Sequence, residues 1–436
     1  MNRINKYLNE NITKIILWFV LLSPIFDLTT SILLNIAKIE FNFIIIFKML
    51  FMIICIYYLL FISKSKYKKI SIAYVITTSI YIIIYSLMMI KQKDVSVLSY
   101  EIQNLFRSFF FPLTLVPIFN IYEEKKFDFN NKHLSIILLT YIILLFIPTI
   151  TKTDFSSYAY SKVGSIGWFN STNEIGAIIS ILLPFGIYNL FRVKNLLLKI
   201  VILLTSIYTY FSLGTKVPIL SLGIVIMAYF LIYIVKIIKQ RKIKQISILL
   251  ISTLIMVATS IVLVPKTSFY KNIKIHLDFL EIKSITDFYD VHIIDHFIFS
   301  ERVSFYMDTK KNYMKAPTEQ KLLGIGYIEN YGTDDVKIKM IEMDYYDIFF
   351  RNGLIGFILY FIPYIIILVK VFKKLSSKDN ILTTEKMNLY LSIIWILILS
   401  LFSGHIITSP SVSIFCTIIL IMTLKEDNNE NGIFDS

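Results

Sequence analysis

The sequence predicts an all-α, polytopic membrane protein, and three observations lead to that fold class. The 436 residues are 56% hydrophobic and only 17% charged, with a mean hydropathy of +0.68, whereas soluble domains carry about 25% charged residues. Apolar runs of about 20 residues, the length that spans a bilayer as a helix, recur along the whole chain. Lysine and arginine are concentrated in alternate loops between these runs, as in multi-pass proteins. An ordinary water-soluble globular protein is therefore excluded.

The apolar runs predict about 12 transmembrane helices. They cover roughly 14–36, 42–63, 70–90, 98–120, 133–151, 173–191, 197–213, 216–236, 246–265, 346–369, 388–404 and 408–424. The first run is too long for a signal peptide and has no small-residue cleavage signature, so it is a true span. Two pairs of runs are separated by very short turns, which leaves eleven or thirteen helices open.

The basic residues set the orientation of the chain. With the N-terminus in the cytoplasm, 24 of the 44 Lys and Arg residues lie in cytoplasmic segments and six lie in the short outer loops. The cytoplasmic segments then carry the whole net charge of +14, so the basic balance marks topology and does not indicate a nucleic-acid partner. We therefore expect a protein of the cytoplasmic (inner) membrane with its N-terminus and C-terminus in the cytoplasm.

The chain divides into four predicted parts. Residues 1–265 form helices 1–9, residues 266–344 form one large outer loop between helices 9 and 10, residues 345–424 form helices 10–12, and residues 425–436 form a cytoplasmic tail. A loop of this length without structure is uncommon unless it is functional. Residues 301–316 have the composition of an amphipathic helix. We expect a partly folded extracytoplasmic cap.

Charged residues inside the predicted helices identify the first candidate site, because each is costly to bury in a bilayer. Asp27, Lys48 and Arg107 lie at similar depths below the outer ends of three helices, which favours a polar cavity that opens outward. A structural ion pair between Asp27 and Lys48 is the alternative. The planar guanidinium of Arg107 is suited to binding a phosphate group.

A second polar group lies where the outer loop joins the tenth helix, in EMDYYDIFFRNGLIGF (342–357). Acidic residues at a helix N-terminus are often caps, and Asp347 and Arg351 can pair at i,i+4. Glu342 precedes the expected cap position, so we expect its carboxylate to face the outer aqueous space. Asp344 and Tyr345 are candidates for contact with a substrate, Tyr345 by stacking.

Four stretches of the sequence resemble the O-antigen ligase and polymerase superfamily of bacterial membrane glycosyltransferases, in particular capsular or teichuronic-type polysaccharide polymerases. They are GWFNSTNEIGAIISILLPF (167–185), SLGTKVPIL (212–220), FSERVSFYMDT…KLLGIGY (299–327) and EMDYYDIFFRNGLIGF (342–357). Their order, and the large loop after the ninth helix, resemble the family layout over most of the chain. In this resemblance Lys216 stands where an arginine is usual in the short outer turn, and Arg302 matches the late-loop arginine.

One departure from the family pattern concerns the position eleven residues before Gly353. Ligases of this superfamily usually carry His-Asn there, whereas this chain has Glu342 followed by Met343. A carboxylate in place of the imidazole argues against a lipid A ligase. Lys216 keeps a cation where the arginine is usual but loses its bidentate fork.

The resemblance implies transfer of a glycan from a polyprenyl pyrophosphate to an acceptor hydroxyl. Arg302, Lys216 and Arg107 would neutralise the leaving pyrophosphate, so neither a metal nor another cofactor is implied, and Glu342 would take the hydroxyl proton as general base. The expected activity is that of an inverting, metal-independent glycosyltransferase, a scheme that favours wide separation of the base from the leaving-group cations. Asn173 and His405 are further candidates for sugar contacts, with a helix cap and a plain turn residue as their alternatives.

Three functions stay open at this point. The first is polymerisation of lipid-linked oligosaccharide repeat units on the outer face of the cytoplasmic membrane, with membrane lipid, a flippase and a chain-length regulator as candidate partners. The second is ligase-like transfer of a finished glycan to a lipid, wall or protein acceptor. The third is a non-enzymatic flippase or transporter, for which paired halves and midplane charges are typical. The outer-leaflet charges of this chain favour chemistry at the interface instead.

Overall fold

Each predicted membrane span that falls within the described residues coincides with a helix or with a pair of consecutive helices. The computed structural model describes residues 2–38, 43–92, 95–126, 129–158, 162–239, 261–328, 340–376 and 384–425. Its helices of six or more residues are α1 (Asn2–Leu21), α2 (Ser23–Asn35), α3 (Phe43–Phe61), α4 (Lys68–Gln92), α5 (Val95–Lys125), α6 (Asn131–Thr151), α7 (Thr172–Arg192), α8 (Leu196–Ser212), α9 (Lys216–Lys239), α10 (Ser268–Phe279), α11 (Arg302–Lys315), α12 (Thr318–Leu323), α13 (Asp344–Leu375), α14 (Thr384–Phe402) and α15 (Pro410–Met422). Most of the ninth predicted span (246–260) and the predicted tail from residue 426 lie outside the described residues.

Seven of the described helices, namely α4–α7, α9, α13 and α14, are long and apolar enough to cross a membrane. The first predicted span is wrong as a single helix, because α1 and α2 meet at a 51° bend. Pro24, in the first turn of α2, explains the break, since proline has no backbone N–H to continue the preceding helix. The fold class is confirmed as an all-α polytopic membrane protein. The number of spans stays a prediction, because α3, α8 and α15 are shorter apolar helices.

The core of the bundle is formed by α5 and α15. Every residue of α15 is buried, and α5 packs against α3, α4, α13 and α15. A helix that is apolar on all sides is typical of such a central position. By contrast, α9 is mostly exposed on the bundle surface, where its apolar side chains would face lipid. A second layer is formed by α7, which packs against α6, α9 and α14.

The described residues of the 266–344 segment contain α10, α11 and α12 together with shorter helical turns, and the predicted helix over 301–316 is confirmed as α11. Tyr313 of α11 packs with Ile341, Met343 and Phe350 in a separate apolar cluster against the start of α13. The turn after α12 also rests on α13, because a Cβ at Gly324 would lie 1.9 Å from the Arg351 carbonyl oxygen. These contacts join the segment to the membrane-spanning part of the chain.

The described loops of the bundle form two separate groups of contacts. At one end, which we call the site end, Asn35 contacts Asn170 and Asn272 donates to the carbonyl oxygen of Gly214. At the other end the 61–67 and 123–126 loops meet, and Arg192 lies 3.7 Å from Glu385. The end that faces the cytoplasm stays a prediction.

Candidate active site

Three residues singled out from the sequence, Arg302, Asn173 and His405, meet at a fourth, Glu342, at the site end of the bundle. The Glu342 carboxylate accepts a hydrogen bond of 2.7 Å from Nη2 of Arg302 and one of 3.4 Å from Nδ2 of Asn173. Nε2 of His405 lies 3.7 Å from the other carboxylate oxygen. The Glu342 side chain is 30% exposed, so it remains open to a ligand. A carboxylate, a guanidinium, an amide and an imidazole therefore share one partly open position.

The backbone around Glu342 is held from two sides. Its φ of 58° lies in the left-handed region, which is uncommon for a residue with a side chain. The carboxylate of Asp347 accepts hydrogen bonds from the backbone N–H groups of Ile341 and Glu342, at 3.1 and 2.9 Å. On the other side, a Cβ at Gly404 would lie 2.4 Å from the Glu342 carbonyl carbon and oxygen. The conformation of Glu342 therefore depends on Asp347 and on the absence of a side chain at residue 404.

Asp344 is buried and holds the 405–408 turn. Its carboxylate accepts hydrogen bonds from the N–H groups of His405, Ile406 and Ile407 and from the Thr408 hydroxyl, at 2.7–2.9 Å. Its side chain is 1% exposed and is satisfied by the protein itself, which differs from the substrate contact expected from the sequence. Because His405 is the first residue of this turn, Asp344 fixes the position of the imidazole.

Tyr345 points into the bundle instead of toward Glu342. Its hydroxyl lies 3.5 Å from the Leu397 carbonyl oxygen of α14, and its ring packs 5.6 Å from the ring of Phe361. The expected stacking on a ligand therefore does not match this orientation. Since Tyr345 is the second residue of α13, its direction follows from helix geometry once Asp344 faces the 405–408 turn.

Arg302 and Lys216 reach the same turn of the 266–344 segment. Nη1 of Arg302 donates to the Phe299 carbonyl oxygen at 3.2 Å, and Nζ of Lys216 donates to the Phe297 carbonyl oxygen. The turn is fixed by Asp295, which accepts from the N–H groups of Val303 and Ser304 at the start of α11. The Arg302 side chain is only 13% exposed. Arg302 and Lys216 are thereby held at one turn, from which Arg302 reaches Glu342.

The contact between Arg302 and Glu342 corrects one expectation. The inverting scheme favoured wide separation of the base from the leaving-group cations, whereas the two side chains are hydrogen-bonded at 2.7 Å. The sequence places these residues 40 positions apart and gives no distance between them. In this structure the pair is closed.

The charges around Glu342 set its protonation state. Burial opposes ionisation, but the hydrogen bond and positive charge of His405 and the Arg302 guanidinium outweigh it and lower the pKa of Glu342 to about 2. Burial also disfavours a charged His405, but Glu342, Asp344 and Glu174 outweigh it and raise the pKa of the imidazole. Glu342 is therefore fully ionised near neutral pH, and its charge is compensated.

Arg107 lies next to this centre and is paired with a residue that the sequence analysis missed. Nη2 of Arg107 is 3.8 Å from the Glu174 carboxylate, which also accepts a 2.6 Å hydrogen bond from Ser409. Glu174 directly follows Asn173 in the sequence, and this position next to a candidate sugar ligand was the only indication of its role. It resembles an ordinary acidic cap in the first turn of α7.

Two polar cavities share Arg107 and Glu174 in their walls. One, of about 250 Å³, is also lined by Asp27, Lys48 and Ser171. The other, of about 140 Å³, extends to residues near the active centre, including Asp347, Arg351, His405 and Thr408. A polar cavity near the charged helix residues is therefore present, and the smaller cavity next to it reaches His405, which lies 3.7 Å from Glu342.

The alternative interpretation of Asp27 and Lys48 is also confirmed. Nζ of Lys48 lies 3.1 Å from the Asp27 carboxylate, and their side chains are 3% and 9% exposed. Tyr141 and Ser411 donate further hydrogen bonds to Asp27, at 2.7 and 3.1 Å. This buried network joins four helices, so the ion pair has a structural role while it forms one wall of the cavity. The Asp347–Arg351 pair expected at i,i+4 is present too, at 3.8 Å.

Within the described residues, no group of three or more His, Cys, Asp or Glu side chains is arranged to hold a metal ion.

Comparison with known protein families identifies the family of the chain. The family model described as O-antigen ligase like membrane protein matches residues 9–290 and 291–427, nearly the whole chain. No curated protein and no solved structure matches the chain significantly. The resemblance found in the sequence is confirmed, and the chain belongs to the family of O-antigen ligase-like membrane proteins.

Proposed function

We propose that the protein polymerises polyprenyl-pyrophosphate-linked oligosaccharide repeat units on the outer face of the cytoplasmic membrane. Its family is one of membrane glycan-transfer proteins, which gives the reaction class. The observation that carries the finer proposal is the contact of Glu342 with Arg302, Asn173 and His405, of which His405 also lines the smaller polar cavity. The base and the cation are hydrogen-bonded at 2.7 Å, so an inverting reaction requires this pair to open, with Glu342 facing the acceptor hydroxyl and Arg302 the leaving pyrophosphate.

The proposed reaction forms one glycosidic bond and breaks one sugar–phosphate bond. An acceptor hydroxyl oxygen attacks the anomeric carbon of the donor, the bond to pyrophosphate breaks, and the polyprenyl pyrophosphate leaves with the bonding electron pair. Glu342 accepts the hydroxyl proton and later returns it to water. Arg302 and Lys216 balance the charge that develops on the pyrophosphate. Because no covalent enzyme intermediate forms, the anomeric configuration inverts, and the cations fill the role that a metal would have.

The closed pair with Arg302 links donor binding to base strength. A carboxylate with a pKa of about 2 is a weak base near neutral pH. A pyrophosphate that engages the Arg302 guanidinium competes with Glu342 for its donors and adds negative charge nearby, and both effects raise the pKa of the carboxylate. In this proposal Glu342 gains basicity when the donor is in place. Without a bound donor, the hydrogen bond to Arg302 keeps Glu342 a weak base.

The remaining residues divide between binding and positioning. We propose Asn173 and Arg107 as ligands for sugar hydroxyl or phosphate oxygens, because Asn173 donates to Glu342 and Arg107 lines both cavities. We propose His405 as a residue that stabilises ionised Glu342, and Asp344 as the positioning residue of the His405 turn. Tyr345 then has a packing role.

Ligase-like transfer of a finished glycan is the second candidate, and one observation favours it. The imidazole that ligases of the superfamily usually carry is replaced by Glu342, but His405 brings an imidazole to within 3.7 Å of that carboxylate from another loop. A His–carboxylate pair could activate an acceptor of a different kind. Polymerase and ligase therefore share the donor chemistry and differ in the acceptor.

The two candidates are separated by the glycans of a deletion strain. Gel and mass analysis of lipid-linked and surface glycan should find single repeat units accumulating on the polyprenyl carrier when the gene is absent. Long polymer that remains on its carrier, and is missing only from its final acceptor, would identify a ligase. An unchanged glycan profile would exclude both the polymerase and the ligase and would favour a non-enzymatic transporter.

A further inference from the structure

A third polar cavity is lined in part by the 295–302 turn. It has a volume of about 360 Å³ and is lined by polar residues that include Lys162, His276, His296, Ser300 and Glu301. This volume lies within the range of small-ligand sites, about 300–1,000 Å³. None of these residues takes part in the proposed transfer step, so the cavity has no assigned role there.

Positive charge in and around this cavity is only partly compensated. Among the residues that the structure describes, no carboxylate oxygen lies within 4 Å of Nζ of Lys162 or Lys216. Glu301 is 3.2 Å from His296. Burial, followed by the charges of Lys162, Lys216 and His296, lowers the pKa of His276 to about 4. Burial is the larger cause of this shift, and the nearby positive charges add to it; a lysine that lines the cavity without a carboxylate partner favours an anion.

The cavity and the proposed active site share the 295–302 turn. Glu301 lines the cavity, and the next residue, Arg302, binds Glu342 at 2.7 Å. Both residues belong to the turn that Lys216 also contacts, through the Phe297 carbonyl oxygen. A ligand group in the cavity would therefore lie close to a glycan that is bound at Glu342.

We propose that this cavity binds an anionic substituent, a carboxylate or phosphate, of a sugar in the glycan substrate, so that the protein prefers an acidic repeat unit. The proposal rests on the proposed glycan transfer, since the cavity is assigned to the same substrate. Lys162 supplies the main charge and the Ser300 hydroxyl a neutral hydrogen bond. A pyrophosphate of the carrier offers the same chemistry from another source, and the test must separate the two.

The five histidines of the chain make a direct binding test feasible. The purified full-length protein, with isotope-labelled histidine, is titrated by NMR in lipid nanodiscs, and a His276→Gln variant identifies the His276 signal. Methyl glucuronoside should raise the His276 pKa by about 1 pH unit or more, because a nearby anion stabilises the imidazolium. Methyl glucoside of equal concentration should leave it unchanged. Lys162→Met should abolish the response. Lys274 is an exposed lysine on the same helix as His276, and Lys274→Met should preserve the response.

Three results of the titration would overturn the proposal. They are no response to glucuronoside or to inorganic phosphate, an equal response to the neutral glucoside, and a response to pyrophosphate alone, which would assign the cavity to the carrier. The readout needs no turnover, so it is separate from the proposed function. Transfer of an acidic glycan at the wild-type KM by Lys162→Met would likewise refute the acidic-sugar site and leave the transferase intact.

Discussion

Replacing Glu342 by glutamine tests the proposed base most sharply, because the change removes one charge and keeps the shape of the side chain. The glutamine oxygen can still accept from Arg302, whose Nη2 lies 2.7 Å away in the native protein. Loss of the ionic part of this partly buried bond should cost about 1–3 kcal/mol of stability. Loss of a general base typically costs a factor of about 10²–10⁴ in rate, equivalent to about 3–5.5 kcal/mol of transition-state stabilisation.

The assay measures the initial rate of polyprenyl pyrophosphate release from a lipid-linked repeat unit by purified protein, next to a thermal unfolding measurement. We expect Glu342→Gln to fold and to lose at least about 100-fold in rate. Glu319→Gln is the matched control, since Glu319 is an exposed acid of α12 in the same segment. It should retain the wild-type rate. A Glu342→Gln protein with a rate within threefold of wild type would refute the base role.

Four further predictions follow from the same contacts. Arg302→Lys should lose about tenfold or more in rate with little loss of stability, because a lysine cannot reproduce the guanidinium fork. Gly404→Ala should displace Glu342 and lower the rate of polyprenyl pyrophosphate release about 100-fold, because the new Cβ would lie 2.4 Å from the Glu342 carbonyl. Gly223→Ala is the control: a Cβ there meets nothing within 4 Å, so the same assay should give the wild-type rate. His405→Gln should be less stable than wild type at pH 6, and the difference in unfolding temperature should shrink as pH rises through the raised pKa of His405, because only the protonated imidazole pairs with Glu342. The pKa of Glu342 is lowered to about 2, so the stability that its ionised carboxylate contributes should be complete above about pH 4.3 and should fall as the pH drops from there to pH 2. The unfolding temperatures of Glu342→Gln and wild type, compared over that pH range, check this.

The membrane fold was largely predictable from sequence because hydropathy sums over about 20 residues and errors at single positions cancel. The break at Leu22 shows the limit of such sums. Pro24 ends one helix and starts another inside an uninterrupted apolar run. Most of the ninth span lies outside the described residues, so the predicted total remains open.

The residues at the candidate site were predictable by type, whereas their contacts were not. Glu342, Arg302 and Asn173 stand far apart in the chain, and only the folded loops bring them within hydrogen-bonding distance. Asp344 was assigned to substrate by its position near Glu342, but its backbone places the carboxylate under the 405–408 turn. Glu174 was overlooked because an acid in the first turn of a helix has an ordinary explanation as a cap.

The central claim is that Glu342 and Arg302 join one lipid-linked glycan to another. The most direct measurement incubates the purified protein with a polyprenyl-pyrophosphate-linked single repeat unit and no other acceptor, and resolves the products by mass. We expect a ladder of longer lipid-linked glycans, with one polyprenyl pyrophosphate released for each new bond, and no ladder with Glu342→Gln. Products no longer than one repeat unit from active wild-type protein, with transfer only after a different acceptor is added, would contradict it.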